Sequence, residues 1–147
     1  MTALTEKQNR EQALANLQSQ PGEDTLWQCI IAFQQYEFKT YSGLSFSYQL
    51  KLGKNGNYTK ELFIDRRENS KSLSWSSIRL AFKKVAEIKS STGEKMPTIG
   101  RPKALGDIRG VTYIYAIFFR FGLIEVPDNV KEKMEGNTSS ECTYIVY

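Results

Sequence analysis

The sequence predicts an α+β fold: a single domain with a short antiparallel sheet built on a central β-hairpin, packed against three to four helices. Three observations carry this expectation. Residues 44–52 alternate, with Leu44, Phe46, Tyr48, Leu50 and Leu52 on one side and Ser45, Ser47, Gln49 and Lys51 on the other, which is the period of a half-buried strand. Segments 25–36 and 75–89 instead repeat their apolar residues at helical spacing. A chain of 147 residues with 40% apolar and 24% charged content is long enough to bury one core, and its composition is ordinary for a globular protein.

In chain order, residues 2–20 favour helix, but Ala13, Leu14 and Leu17 make only a narrow apolar stripe, so an arm that packs lightly or frays is expected. Pro21-Gly22 ends it. Asp24 is the expected N-cap of a second helix over 25–36, in which Leu26, Ile30 and Phe33 share a face widened by Trp27 and Ile31. The strand 44–52 follows, then turn residues Gly53-Lys54-Asn55-Gly56-Asn57 and a returning strand 58–66. A two-residue loop would oppose Leu50 to Glu61, whereas a three-residue loop opposes Leu50 to Leu62 and Tyr48 to Ile64; the apolar pairs favour the odd-length loop. Residues 68–72 read as a polar connection, and Ser74 as the cap of a helix over 75–89 with Trp75, Ile78, Phe82 and Val85 inward. After a Gly- and Pro-containing loop, 90–100, a buried helix is expected over 107–121, capped by Asp107 and closed by Gly122. The domain organisation is thus a helical arm over 1–22, an α+β core over 23–127 and a polar tail over 128–147, whose last residues, 142–147, could add an edge strand.

The chain has no histidine, which removes the side chain most used for proton transfer near neutral pH and excludes serine and cysteine triads that need an imidazole base. Two isolated cysteines, Cys29 and Cys142, cannot supply an ordinary zinc site and fit a reducing compartment better than a disulfide framework. The amide-rich N-terminus lacks the apolar core of a secretory signal, and the longest apolar stretch, 111–119, is too short to span a membrane. A cytoplasmic protein without membrane attachment, metal or cofactor is expected.

Charge is sorted along the chain. Residues 1–37 carry a net −3, residues 38–109 a net +9 and residues 110–147 a net −2. A basic middle segment prefers a polyanion or an acidic protein surface. Two sets of cations are candidates for phosphate binding. The first is Arg66, Arg67, Lys71, Arg79, Lys83 and Lys84, from the end of the hairpin through the exposed side of the next helix; the bland alternative is a solvated helix face countered by Glu68 and Glu87. The second is Arg101, Lys103 and Arg109, before the last long helix, where free backbone N–H groups favour anions; the alternative is a structural loop in which Arg-Pro-Lys starts a helix. Neither a P-loop ending nor a G-x-G-x-x-G run is present, so nucleotide hydrolysis is unsupported.

Tyr41, Phe63, Tyr113 and Tyr115 could stack on bases beside that surface, although most aromatic residues fall on core faces. Glu61, Asp65 and Glu68, with the acid-x-Lys tripeptide Glu87-Ile88-Lys89, are the best carboxylates for a metal-dependent nuclease, but the tripeptide falls at a helix end instead of on a strand. No catalytic residue is assigned.

The runs Gly43-Leu44-Ser45-Phe46, Lys60 to Arg67 and Arg101-Pro102-Lys103-Ala104-Leu105-Gly106 resemble a family of small uncharacterised bacterial proteins over about residues 30 to 125. The resemblance implies no activity, ligand or site residue. The expected function is therefore a non-enzymatic nucleic-acid-binding or regulatory module using its basic surface. The competing expectation is a protein-interaction module or small inhibitor for an acidic partner, with the outer sheet face or the terminal strand available for a homodimer.

Overall fold

The hairpin forms in the register that pairs apolar residues: Tyr48 lies opposite Ile64 and Leu50 opposite Leu62. The computed structural model describes residues 5–65 and 70–135. Over these it contains helices α1 (Glu6–Ser19) and α2 (Glu23–Ala32), strands β1 (Phe38–Lys39), β2 (Ser45–Leu52), β3 (Tyr58–Asp65) and β4 (Ser70–Ser74), and helices α3 (Trp75–Thr92), α4 (Val111–Arg120) and α5 (Asp128–Glu135). A 3-10 helix, Pro102–Leu105, precedes α4. The strands form one antiparallel sheet in the order β1-β2-β3-β4, so the α+β class and its central hairpin are as expected.

The connection between β2 and β3 is longer than the three residues anticipated. Leu52 pairs with Tyr58, the loop is closed by the Gly53 N–H donating to the Asn57 carbonyl at 2.8 Å, and a bulge between Leu50 and Leu52 restores the apolar register. The bulge turns Leu52 outward. It is 63% exposed, and Leu44, at the start of the alternating run, is 61% exposed, so neither joins the buried row.

One sheet face supplies Phe46, Tyr48, Leu50, Leu62, Ile64 and Leu73 to the core, while Ser45, Gln49 and Asp65 face water. Backbone acceptors and donors lock α2 to this face. The Tyr48 hydroxyl donates to the Ile30 carbonyl at 2.6 Å, and the Leu50 N–H donates to Gln34 Oε1 at 2.9 Å. Helix α4 is buried from Tyr113 to Phe118, as its nearly unbroken apolar sequence requires. Phe33 meets Phe121 at 4.9 Å between ring centroids, and Phe46 meets Tyr113 at 5.0 Å.

Several boundaries differ from expectation for identifiable reasons. Helix α2 starts at Glu23 with Gly22 as its extended N-cap, so Asp24 sits in the first turn instead of capping it; it ends before Tyr36 because Gln35 turns left-handed at φ 69° and donates its N–H to the Tyr48 carbonyl. Residues 70–72, expected as a connection, belong to β4, which pairs with β3 through its backbone. Helix α3 runs on to Thr92, where Gly93 in the left-handed region stops it. Asp107 does not cap α4: Gly110, at φ 78°, is the N-cap.

The two ends of the described chain are more structured than anticipated. Helix α1 opens with a reciprocal capping box, in which Thr5 Oγ1 accepts from the Gln8 N–H at 3.1 Å and Gln8 Oε1 accepts from the Thr5 N–H at 3.0 Å. Ala13 and Leu17 of α1, together with Val130 and Met134 of α5, belong to the same core cluster as the sheet. The arm is therefore packed on the core, and the first part of the expected polar tail is an amphipathic helix. The proposed edge strand over 142–147 lies outside the described residues. No helix among the described residues is long and apolar enough to cross a membrane.

Candidate anion-binding surface

The cations of the first set do not act as one free group. On α3, Arg79 Nε lies 3.2 Å from Glu23 Oε1 and Lys84 Nζ lies 4.0 Å from Glu87 Oε1. Both pairs are about half exposed or more, so each adds at most about 1 kcal/mol of stability; their larger consequence is that they offset the charge of the helix. Lys83 is exposed and has no carboxylate within 4 Å among the described residues, although Glu87 shares the shallow depression beside it. Arg66 and Arg67 lie outside the described residues.

Lys71 lies two residues along β4 from Leu73, which meets the segment that carries Arg109. Lys71 pairs with Ile64 and so ends the row Tyr48, Ile64, Lys71 on the helix-covered side of the sheet. Two residues on, Leu73 packs against the start of α4, where a Cβ on Gly110 would stand 2.5 Å from Leu73 Cδ1. This contact sets Arg109, next to Gly110, beside β4. Arg101 is the N-cap of the 3-10 helix and Lys103 lies within it, while the buried Leu105 anchors that helix beneath α4 and α3. Lys71, Arg101, Lys103 and Arg109 are all exposed, and none has a carboxylate within 4 Å among the described residues. Arg-Pro-Lys thus does start a helix, as the structural alternative held, and the cations remain free on it.

The aromatic residues considered for base stacking are used elsewhere. Tyr113 and Tyr115 are buried in α4, and Tyr41 packs edge-on to Tyr115 at 5.8 Å. Phe63 is half-buried on the outer sheet face with Lys51 Nζ 4.8 Å from its centroid. Glu87 points its carboxylate at Lys84 from a helix, not from the strand that the nuclease arrangement needs. Among the described residues, no group of three or more acidic or cysteine side chains is placed to hold a metal ion.

Cys29 is no nucleophile at ordinary pH. Its thiol is buried and donates to the Ala13 carbonyl at 3.1 Å, and burial pushes its pKa from 9.0 up to about 12. Burial also raises Tyr115 to about 12, with the neighbouring Tyr41 adding to it, and raises Tyr48 well above its ordinary value, with Cys29 adding to it. Each group keeps its proton to higher pH in the folded than in the unfolded chain. The stability contributed by Cys29 is therefore intact below about pH 9 and lost as pH climbs towards 12. The denaturation midpoint is expected to hold to about pH 9 and then fall, with part of the fall missing in Cys29→Ala; parallel curves for the two proteins would contradict the assignment.

Sequence reasoning missed two arginines. Arg10 and Arg120 lie with their guanidinium carbons 5.3 and 5.1 Å from the ring centroid of Tyr36, and 5.8 and 5.3 Å from that of Phe33. They are 110 positions apart in the chain, so no local pattern could have paired them. Comparison with family models, with curated proteins and with solved structures finds no match for this chain, and so nothing extends the resemblance noted over residues 30 to 125.

Proposed function

We propose that the protein is a non-enzymatic cytosolic module that docks the phosphate backbone of a nucleic acid on the surface formed by β4, the 3-10 helix and residues 106–110. The observation that carries this reading is the approach of Gly110 to Leu73, which brings the segment that carries Arg109 near the strand that carries Lys71; Arg101 and Lys103 precede that segment, and all four cations are exposed and free of carboxylate partners among the described residues. Unpaired surface cations gain most from a phosphate backbone, because each contact releases condensed counterions. Contacts of this type fix position and carry little base information, so weak sequence preference is expected.

Anisotropy titrations with generic duplex and single-stranded DNA and RNA at low salt test the reading. Replacing Lys71, Arg101, Lys103 and Arg109 together by Gln is expected to weaken binding at least about tenfold and to reduce the slope of log affinity against log salt by about 3 to 4. Arg79→Gln, which removes an already paired charge, should change the slope little. No binding at micromolar protein, or binding untouched by the fourfold replacement, would overturn the proposal.

A second reading has one observation in its favour. Strand β4 is the last strand of the sheet order and carries the exposed Lys71, which suits an acidic protein segment, or a second copy of the chain, adding along that edge. Such a complex would compete with nucleic acid and would be lost on substituting Ser72 by Pro, a change that phosphate docking should tolerate better.

A further inference from the structure

A cleft of about 730 Å³ opens between residues 36–39, the end of α4, residues 122–125 and α5, and none of the cations discussed above lines it. Its volume is in the range of small-molecule sites. The apolar part of its wall comes from Tyr36, Phe119, Met96 and Met134. Its charged part is balanced. Glu37 and Lys39 satisfy each other through Ser45: Glu37 Oε2 accepts from Ser45 Oγ at 2.8 Å, and Lys39 Nζ donates to the same hydroxyl at 3.0 Å. Arg120, Lys131, Glu125 and Glu135 also line the cleft, and none of these four has an oppositely charged partner within 4 Å among the described residues.

Arg120 is held ready. Its Nε donates to the Tyr36 hydroxyl at 2.7 Å, and its guanidinium rests against the Tyr36 and Phe33 rings. That leaves the two Nη groups, the pair that matches a carboxylate, and their orientation is set before any ligand arrives. A dianion in this cleft would meet two unpaired carboxylates, and a simple amine would meet two unpaired cations. An uncharged apolar compound would desolvate all four without pairing any.

We propose that this cleft binds a zwitterion of amino-acid to dipeptide size with an aromatic or other apolar side chain. Arg120 and Lys131 take its carboxylate, Glu125 and Glu135 its ammonium group, and Tyr36, Phe119 and the two methionines pack its side chain. Polyanion docking on the other set of cations is not required for it.

Calorimetric titration of the full chain tests this with L-phenylalanine and L-phenylalanyl-L-leucine, against 3-phenylpropionate, 2-phenylethylamine and phenyl phosphate as single-charge or phosphate probes. At least one zwitterion is expected to bind, with each single-charge or phosphate probe at least about tenfold weaker, because each leaves one set of the cleft's charges without a counterpart. Arg120→Gln and Lys131→Gln should each weaken the zwitterion, and Glu125→Gln should weaken it without weakening 3-phenylpropionate. Lys131→Gln, at a partly buried position on α5, serves if Arg120→Gln does not fold. No heat from either zwitterion at about 10 mM, well above typical small-ligand constants, equal affinity for phenyl phosphate, or binding indifferent to all three substitutions would overturn the proposal.

Discussion

Gly110→Ala is expected to destabilise the protein by about 2–5 kcal/mol, the sum of about 1–2 kcal/mol for an L-residue held in the left-handed region and about 1–3 kcal/mol for forcing a methyl group into a packed contact. Both costs are set by the structure. Gly110 has φ 78°, and an added Cβ would stand 2.5 Å from Leu73 Cδ1, a distance that the buried Leu73 side chain or the β4–α4 contact must shift to relieve. Gly93 separates the two terms. It has φ 77° and nothing within 4 Å of an added Cβ, so Gly93→Ala should cost only the conformational part, about 1–2 kcal/mol. Urea denaturation of the two variants measures the difference, and equal midpoints would show that the Gly110–Leu73 approach is loose. The same variant bears on the proposed docking surface, since moving Gly110 off Leu73 shifts the segment of Arg109 relative to β4; under that proposal, loss of stability and loss of nucleic-acid affinity should go together at Gly110 and not at Gly93.

Phe33→Ala is expected to cost about 3–5 kcal/mol. Phe33 is fully buried at the end of α2 and meets Tyr36 at 5.0 Å, Phe38 at 6.1 Å and Phe121 at 4.9 Å between centroids. Removing its ring opens a cavity among groups fixed by α2, β1 and the end of α4, none of which can collapse alone. Phe33→Leu retains most of the volume and should cost about 1–2 kcal/mol. Phe63→Ala is the control of equal chemistry on the half-buried outer sheet face, with about 1 kcal/mol or less expected. If Phe33→Ala and Phe63→Ala shifted the midpoint alike, Phe33 would not be the hinge of this core. Arg10 and Arg120 both rest on the Phe33 ring, so the alanine variant should also weaken zwitterion binding in the cleft, whereas the leucine variant should weaken it less.

The elements legible in the sequence were those with a strong local signal. The alternation of 44–52 fixed a strand, and the cost of burying Glu61 in place of Leu62 fixed its register before any coordinates. The Ser74 cap, with Ser74 Oγ accepting from the Ser77 N–H at 3.2 Å, and Gly122 at φ 78° are likewise local chemistry. Strand β4 was illegible because Leu73 is its only apolar residue; its identity comes from backbone pairing with β3, which composition does not encode. Helix α5 was hidden for a similar reason, since Val130 and Met134 are too few to outweigh its charged neighbours until β1 and the rest of the core offer them a surface.

The candidate sites divide in the same way. By itself the sequence determined that positive charge concentrates in the middle of the chain and that imidazole chemistry is absent, because both are sums over residues and need no geometry. Only the tertiary structure decided which charges are free. Glu23 reaches Arg79 across two helices, Gly110 meets Leu73 of β4 on the segments that carry two of the unpaired cations, and Tyr36 aligns Arg120 from across the fold. Coulombic pairing falls off over a few ångströms, and such separations between distant positions exist only once the core has set the helices against the sheet.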